Sequence, residues 1–352
     1  MINRIEKLKS ELREGEALLV KSDANRRYLS GFHSSAGAVI ITAQRAVFIT
    51  DFRYIEKARA TITHLEVEEG SRISAAVKSL GRINKLYIET GAVSLSEYAK
   101  LCEALEGIAV SDDPRFDKLL SKLRAQKSDA EIASIKAAQK ITDEGFSYIL
   151  SRISEGRGER EIALDLEFFM RKQGSEGVAF DTIVVSGKNS SLPHGVPSDK
   201  KIEKGDFITM DFGAVVNGYC SDMTRTVAVG QVSDEQRAVY NTVLAAQSAA
   251  LSAISAGKIC RDIDKVARDI IENAGYYGAF GHGLGHSVGL EIHESPACNT
   301  VCEQKLLSGN IMTVEPGIYL EGRFGVRIED MVLVTDSGCE NLTKSEKSLI
   351  IL

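Results

Sequence analysis

The sequence predicts a two-domain α/β protein whose second part is of the α+β kind. Three observations carry this. At 352 residues the chain exceeds an ordinary single domain. Its first third alternates short apolar runs with amphipathic helical patterns. From about residue 128 onward, helical periodicity gives way to β-rich stretches interrupted by two further helices.

Taken in order, Ile5, Leu8 and Leu12 recur at helical spacing and predict an amphipathic helix. ALLV (17–20), AVIIT (38–42) and AVFIT (46–50) read as buried strands, FRYIEKARA (52–60) and ISAAVKSLG (73–81) as helices, and KLYIE (85–89) and GIAVS (107–111) as strands again. His33 and His64 are isolated here and read as ordinary surface or satisfied core residues. The segment from Asp113 to Ile141 bridges to the remainder, and Ser128 followed by Glu131 is a capping-box signature that opens a helix. The boundary therefore falls between Ser121 and Ser128, giving domains 1–124 and 125–352. Further helices are expected over 159–173, 233–256 and 261–273. In the last, Ile263, Val266, Ala267, Ile270 and Ile271 share one face and Gly275 serves as the C-cap.

Hydrophobic content of 43% and charged content of 26% are those of a soluble globular protein. A net charge of −6 offers no general attraction to nucleic acid or to an anionic membrane. No apolar run approaches a membrane span, and MINRIEKLKSELREGE lacks the apolar core of a secretory signal. A cytoplasmic enzyme or binding protein is expected. None of the six cysteines forms a Cys-x-x-Cys pair, so free, mostly buried thiols are expected.

GHGLGHSVGLEIHE (281–294) concentrates His282, His286 and His293 among four glycines. Each interior glycine costs a helix roughly 1 kcal/mol, so a strand or irregular loop is the better reading. A dinucleotide-type phosphate loop is disfavoured, because a helix precedes the glycines where that motif needs a strand. The imidazoles point to metal or catalysis only if partners lie elsewhere.

Acidic partners are present. In FITMDFGAVVNGYCSDMTRTVAVG (207–230), Asn217-Gly218 is a strong type I′ hairpin signal. Counting outward, Val216 faces Tyr219, Gly213 faces Asp222 and Asp211 faces Thr224. Asp211 and Asp222 then become diagonal neighbours on one face, on the order of 7 Å apart at the backbone. Strands disfavour aspartate and adjacent like charges repel, so two solvated acids compete with two acids sharing a cation. IMTVEPGIYL (311–320) and GVRIEDMVLV (325–334) each read as a strand carrying an acid, Glu315 and Glu329. Arg327 shares a strand face with Glu329, and an ion pair between them on a wet strand is the plain alternative. Taken together, four acids and one histidine describe a dinuclear site rich in carboxylate oxygen. It suits Mn²⁺ best and is open to Co²⁺, Fe²⁺ or Zn²⁺. Two ions there would activate a water and polarise a carbonyl, the chemistry of metal-assisted hydrolysis.

These segments, with FDTIVVSGKNSSLPHG (180–195) and TVEPGIY (313–319), occur in the order found in the pita-bread metallopeptidases. The chain resembles the branch of Xaa-Pro aminopeptidases (aminopeptidase P) and Xaa-Pro dipeptidases (prolidases) over nearly its whole length. The resemblance implies a small creatinase-like N-terminal α/β domain, for which NRRYLSGFHSSAGAVIIT and FITDFRY also speak, and a pita-bread catalytic domain. It implies two divalent metal ions held by Asp211, Asp222, His286, Glu315 and Glu329, with Asp222 and Glu329 serving both ions and Glu315 also taking the proton of the attacking water. It further implies that His194 lies near the scissile peptide and that His293 hydrogen-bonds the substrate carbonyl or the tetrahedral intermediate. His282, Arg327 and Phe180 would shape the substrate pocket. The implied partners are peptides with proline in second position and a second copy of the chain in a homodimer. Methionine aminopeptidases share the ligands but generally lack the first domain, and creatinase-like relatives lose the ligands. TDFRY inclines the reading to aminopeptidase P, with the dipeptidase as the alternative and a non-catalytic peptide-binding module as the reading from another class.

Overall fold

Runs of Val, Ile, Leu and Ala that stay apolar on both faces can satisfy their backbone only inside a covered sheet. The structure, a computed structural model describing residues 2–352, builds such a sheet first. Its strands are β1 (Glu16–Val20), β2 (Ala38–Thr42), β3 (Ala46–Thr50), β4 (Glu66–Glu69), β5 (Lys85–Ile88) and β6 (Ala109–Ser111), in the spatial order β4-β3-β2-β1-β5-β6. β2 is antiparallel to β1 and β3, whereas β3–β4, β1–β5 and β5–β6 run parallel. Helices α1 (Ile2–Ser10), α2 (Asp23–Ser30), α3 (Ile55–Thr61), α4 (Ile73–Ser79), α5 (Leu95–Ala104) and α6 (Arg115–Ala125) precede, connect or follow these strands. This first compact unit ends at Arg124. Sequence periodicity passes over α2, α5, α6 and β4. α5 nonetheless opens with a complete capping box between Ser94 and Glu97, the same signal that marks Ser128.

The second unit, Ala125–Leu352, begins with α7 (Asp129–Leu150), where Glu131 Oε2 accepts from Ser128 N at 2.8 Å and Ser128 Oγ at 2.7 Å. α7 and α8 (Glu159–Lys172) cover a three-stranded sheet, β11-β8-β7, made of β7 (Ile183–Ser186), β8 (Phe207–Phe212) and β11 (Met223–Ala228). Phe146, Ile149, Leu166 and Met170 of the helices pack on Met210, Phe212 and Met223. β8 and β11 are joined through a small hairpin, β9 (Val215–Val216) and β10 (Tyr219–Cys220). α9 (Asp234–Ala253) and α10 (Cys260–Asn273) form a second helical cover. Beneath it lies the sheet β13-β12-β14-β17-β18, made of β12 (Gly285–Ser287), β13 (Glu294–Cys298), β14 (Ile311–Val314), β17 (Asp330–Val334) and β18 (Cys339–Asn341). β15 (Gly317–Leu320) pairs separately with β16 (Phe324–Arg327). Val239, Val243, Ile263 and Ala267 bury against Met312, Ile318, Val326 and Val332. The helices thus lie outside and the strands inside, and the functional residues hang from the strands.

The hairpin register follows the counting. Asn217 and Gly218 both have positive φ, 51° and 78°. Val216 pairs with Tyr219 and Asp211 with Thr224, with no bulge recorded between. Two expectations are corrected. The segment 311–320 is not one strand but β14 and β15, broken at Glu315-Pro316, and 325–334 is β16 and β17, broken at Ile328-Glu329. At both breaks the chain leaves one ladder for another, and Pro316 has no N–H to continue the first. The acids sit at these breaks. Glu315 N donates to Leu284 O at 2.8 Å and Glu329 N to Thr224 O at 3.1 Å, which ties each to a different part of the unit.

The close approach inside the hairpin sets a sharp test. A Cβ on Gly213 would stand 1.9 Å from Ser221 O, a backbone atom that cannot yield without opening the strands. Gly213→Ala is expected to lower stability by about 3 kcal/mol, at the upper end of overpacking costs, read as a lower urea midpoint. It should also weaken divalent-metal binding, because Asp211 and Asp222 flank the position.

Candidate metal centre

Five side chains from five places in the second unit line one cavity of about 770 Å³: Asp211, Asp222, His286, Glu315 and Glu329. Asp211 comes from β8, Asp222 from the turn before β11, His286 from β12, and the glutamates from the two breaks. Donor atoms of Asp222, His286 and Glu329 all lie within 4.8 Å of one another. His286 Nε2 is 3.6 Å from Asp222 Oδ2 and 3.4 Å from Glu315 Oε1.

The surrounding hydrogen bonds orient these groups. His286 Nδ1 faces Ser287 O at 3.1 Å, so Nδ1 carries the proton and Nε2 turns a lone pair toward the acids. Thr224 Oγ1 donates to Glu329 Oε2 at 2.8 Å, and Thr313 Oγ1 to Glu315 Oε1 at 3.1 Å. Arg327 Nη2 donates to Asp211 Oδ2 at 2.8 Å, but Asp211 Oδ1 is buried without a hydrogen-bond partner. An orphaned carboxylate oxygen, a neutral imidazole lone pair and three more carboxyls thus converge, with donors to only some of their oxygens. That arrangement fits divalent cations and is costly without them. The wet-strand pairing of Arg327 with Glu329 does not occur. Arg327 is 3% exposed and ends β16, whereas Glu329 lies beyond the break.

Electrostatics say the same. Burial, reinforced by the negative charges of Glu329, Asp211 and Glu315, holds the Asp222 carboxyl well above its usual range. Glu329 rises likewise through burial and the charges of Glu315 and Asp211. Glu315 is pushed up to about 7, by burial first, with Asp211 adding to it against the opposing pull of Arg327. His286 is pushed down to about 4 by burial and the neighbouring His293, and so is neutral near pH 7.

The other expected residues, Phe180, His194, His282, His293 and Arg327, line the same cavity. The ring of His293 stands 4.4 Å from that of His286, edge to face. His282 is engaged within the protein at both nitrogens, Nδ1 with Gly283 O and Nε2 with Tyr319 OH, each at 2.9 Å. Its ring is therefore what it offers to a ligand. Tyr319 OH also accepts from Arg327 Nη1 at 2.8 Å. Tyr319, Thr224 and Thr313 escape the sequence reading, although two have a signal there. Thr224 faces Asp211 in the counted register, and Thr313 lies two residues before Glu315. Gly283 and Gly285 line the cavity, and strand packing also requires them to be glycine. A Cβ on Gly285 would stand 2.1 Å from Thr313 O, and one on Gly283 2.9 Å from Cys298 O. At these two positions the neighbouring backbone leaves no room for a side chain.

Residues 133–336 match Metallopeptidase family M24, and residues 4–132 match the Creatinase/Prolidase N-terminal domain. An Xaa-Pro dipeptidase of Pyrococcus furiosus is 38% identical, over 99% of this chain and 100% of the relative. Among solved structures, an Xaa-Pro dipeptidase from Bacillus anthracis superposes with TM-score 0.94 at 44% identity, covering 100% of this chain and 99% of that one. An X-Pro aminopeptidase from Thermotoga maritima superposes with TM-score 0.89 at 39% identity, covering 98% and 100%.

The raised carboxyls make metal binding a competition with protons. A cation entering below pH 7 must displace the proton that Glu315 holds, so affinity falls as pH falls through about 7. For one displaced proton, the Mn²⁺ association constant should rise on the order of 20-fold from pH 5.5 to 7.5. Titration calorimetry at both pH values, with proton release read from buffers of different ionisation enthalpy, checks this.

Proposed function

The chain belongs to metallopeptidase family M24, and from that membership we propose that it is an Xaa-Pro dipeptidase, splitting dipeptides whose second residue is proline. The observation that carries the hydrolytic reading is the convergence of Asp211, Asp222, His286, Glu315 and Glu329 around an unpartnered carboxylate oxygen. The full-length likeness to relatives named Xaa-Pro dipeptidase supports the dipeptide preference. This reverses the order that TDFRY suggested. Asp51 and Arg53 of that segment pair with each other at 2.7 Å, a local turn geometry that carries no information on peptide length.

In this reading the five residues hold two divalent ions, Mn²⁺ best suited, with Co²⁺, Fe²⁺ or Zn²⁺ open to the same donors. When bound, the ions supply Lewis acidity to the scissile carbonyl and acidify the attacking water. Glu315, which lies among the donors at the cavity, would receive that water's proton and return it to the leaving nitrogen. His293 and His194, both exposed in the cavity, donate to the carbonyl oxygen as it gains charge. Arg327 fixes Asp211 while Tyr319 fixes both Arg327 and the His282 ring, leaving that ring and Phe180 as the apolar wall for proline. A homodimer in the cytoplasm completes the reading, and among the described residues no helix is long and apolar enough to cross a membrane.

A second reading, aminopeptidase P, has its own support in the likeness to the Thermotoga protein and in a cavity at the roomier end of the usual range. Kinetics on Xaa-Pro dipeptides and on pentapeptides beginning Xaa-Pro separate the two. The Mn²⁺-loaded protein should favour the dipeptide by roughly 100-fold in kcat/KM, the scale on which a pocket separates substrates by fit. Equal release of the first residue from the pentapeptide establishes the aminopeptidase. No hydrolysis of either leaves a peptide-binding module.

Within the dipeptidase reading, Asp211→Ala is expected to lose metal and activity together. His293→Ala is expected to keep its metal, by calorimetry, and lose about 10²–10³ in kcat, the size of one oxyanion donor.

A further inference from the structure

One buried carboxylate of the second unit takes no part in the chemistry above. Glu159, the first residue of α8, is 0% exposed and is not among the described residues lining the cavity. Its Oε1 accepts from Ser186 N at 2.6 Å and Ser186 Oγ at 2.9 Å. Its Oε2 accepts from Ser198 N at 3.0 Å and Ser198 Oγ at 2.6 Å. Asn189 Nδ2 reaches both oxygens, at 3.2 and 3.3 Å. Every one of these donors belongs to the segment 186–198, and they come from its two ends and its first turn.

That segment leaves the sheet after Ser186, which pairs with Ile208, and then forms part of the cavity wall. Pro193, His194, Gly195, Val196 and Pro197 line the cavity. Pro193 O accepts from Arg327 Nη1 at 3.1 Å, and Ser190 Oγ accepts from Gly325 N at 2.9 Å. After the short 3₁₀ turn at Gly187–Ser191 the loop has few backbone bonds to hold it. Backbone bonds hold its two ends separately, Ser186 in the β7–β8 ladder and Ser198 O by Arg160 N at 3.3 Å, and the Glu159 side chain joins one end to the other.

We propose that Glu159 is the positioning residue of the substrate wall: by clamping both ends of loop 186–198, it sets where His194 and its neighbours meet the peptide. The role calls for a carboxylate, because both oxygens face donors. Glutamine would turn an NH₂ toward N–H and O–H groups and leave them unsatisfied. The site at the start of α8 also favours negative charge through the helix dipole. The metal donors lie on other elements, so the clamp governs peptide affinity and not the metal. The inference rests on the peptidase reading for its kinetic consequence only.

The experiment compares Glu159→Gln and Ser198→Ala with the wild-type protein, all loaded with Mn²⁺. Glu159→Gln should raise KM for an Xaa-Pro dipeptide about tenfold, the scale of stranded buried donors, with kcat changed far less. Amide hydrogen exchange should quicken across 187–198 and stay as in wild type at 207–228, and Mn²⁺ affinity should stay within about twofold. Ser198→Ala, a milder change at a partly exposed residue that guards against misfolding of the first variant, should raise KM about threefold. Unchanged KM and unchanged exchange in both variants overturns the proposal, as does a fall in Mn²⁺ affinity with KM preserved. If the wild type turns over no Xaa-Pro peptide, the peptidase reading fails, while the exchange measurement still decides the clamp.

Discussion

Negative charge gathered where water is scarce is the constraint on which the second unit depends. Asp222 and Glu329 are 4% and 1% exposed, and Asp211 and Glu315 stand beside them. Carboxylates so placed raise one another's proton affinity and cost several kcal/mol apiece if left charged and unpaired. One cation of the protein's own, Arg327, meets Asp211, and the remaining charge calls for metal or protons. A fold that tolerates this arrangement has to hold it rigidly from outside.

The rigidity comes from polar residues set behind the acids. Thr224 and Thr313 each give a hydroxyl to a glutamate, and Ser287 O fixes the tautomer of His286. Next to Glu329, Asp330 is fully buried and is met by Arg225 at 2.7 Å, Lys347 at 2.7 Å, Gln247 at 2.9 Å and Asn341 at 2.8 Å. Arg225 also donates to Glu329 O and to Ser345 O, which draws the C-terminal segment against the strand behind the metal side. The acids that face the cavity share a single arginine among four carboxyls and leave Asp211 Oδ1 unpartnered, whereas the acid that faces away is met by two cations and two amides. That contrast separates a site from a structural pair.

Much of this is readable in the linear chain because it depends on local rules. The hairpin needs only Asn217-Gly218 and a count of residues, and that count puts Asp211 opposite Thr224 as observed. Capping at Ser128 and the helical periods of α7 to α10 are equally local. The lapses occur where a residue answers to something distant. Glu315 and Glu329 look like mid-strand acids until the two ladders are seen to part at those points. Arg327 looks paired with Glu329, two positions away, but bonds to Asp211, 116 positions away. Glu159 carries no sequence signal, since its partners are a loop that begins 27 positions later.

The sequence by itself determined which residue types are on hand and which local turns and helices present them, because those depend on spacing, side-chain chemistry and backbone preference within a few residues. It also determined the family, since the five acid and imidazole positions recur in a fixed order. Tertiary structure alone decided which oxygen is orphaned, which imidazole nitrogen faces the acids, and which arginine neutralises which aspartate. These depend on distances between segments a hundred residues apart, where a shift of one hydrogen-bond length exchanges a partner for a vacancy.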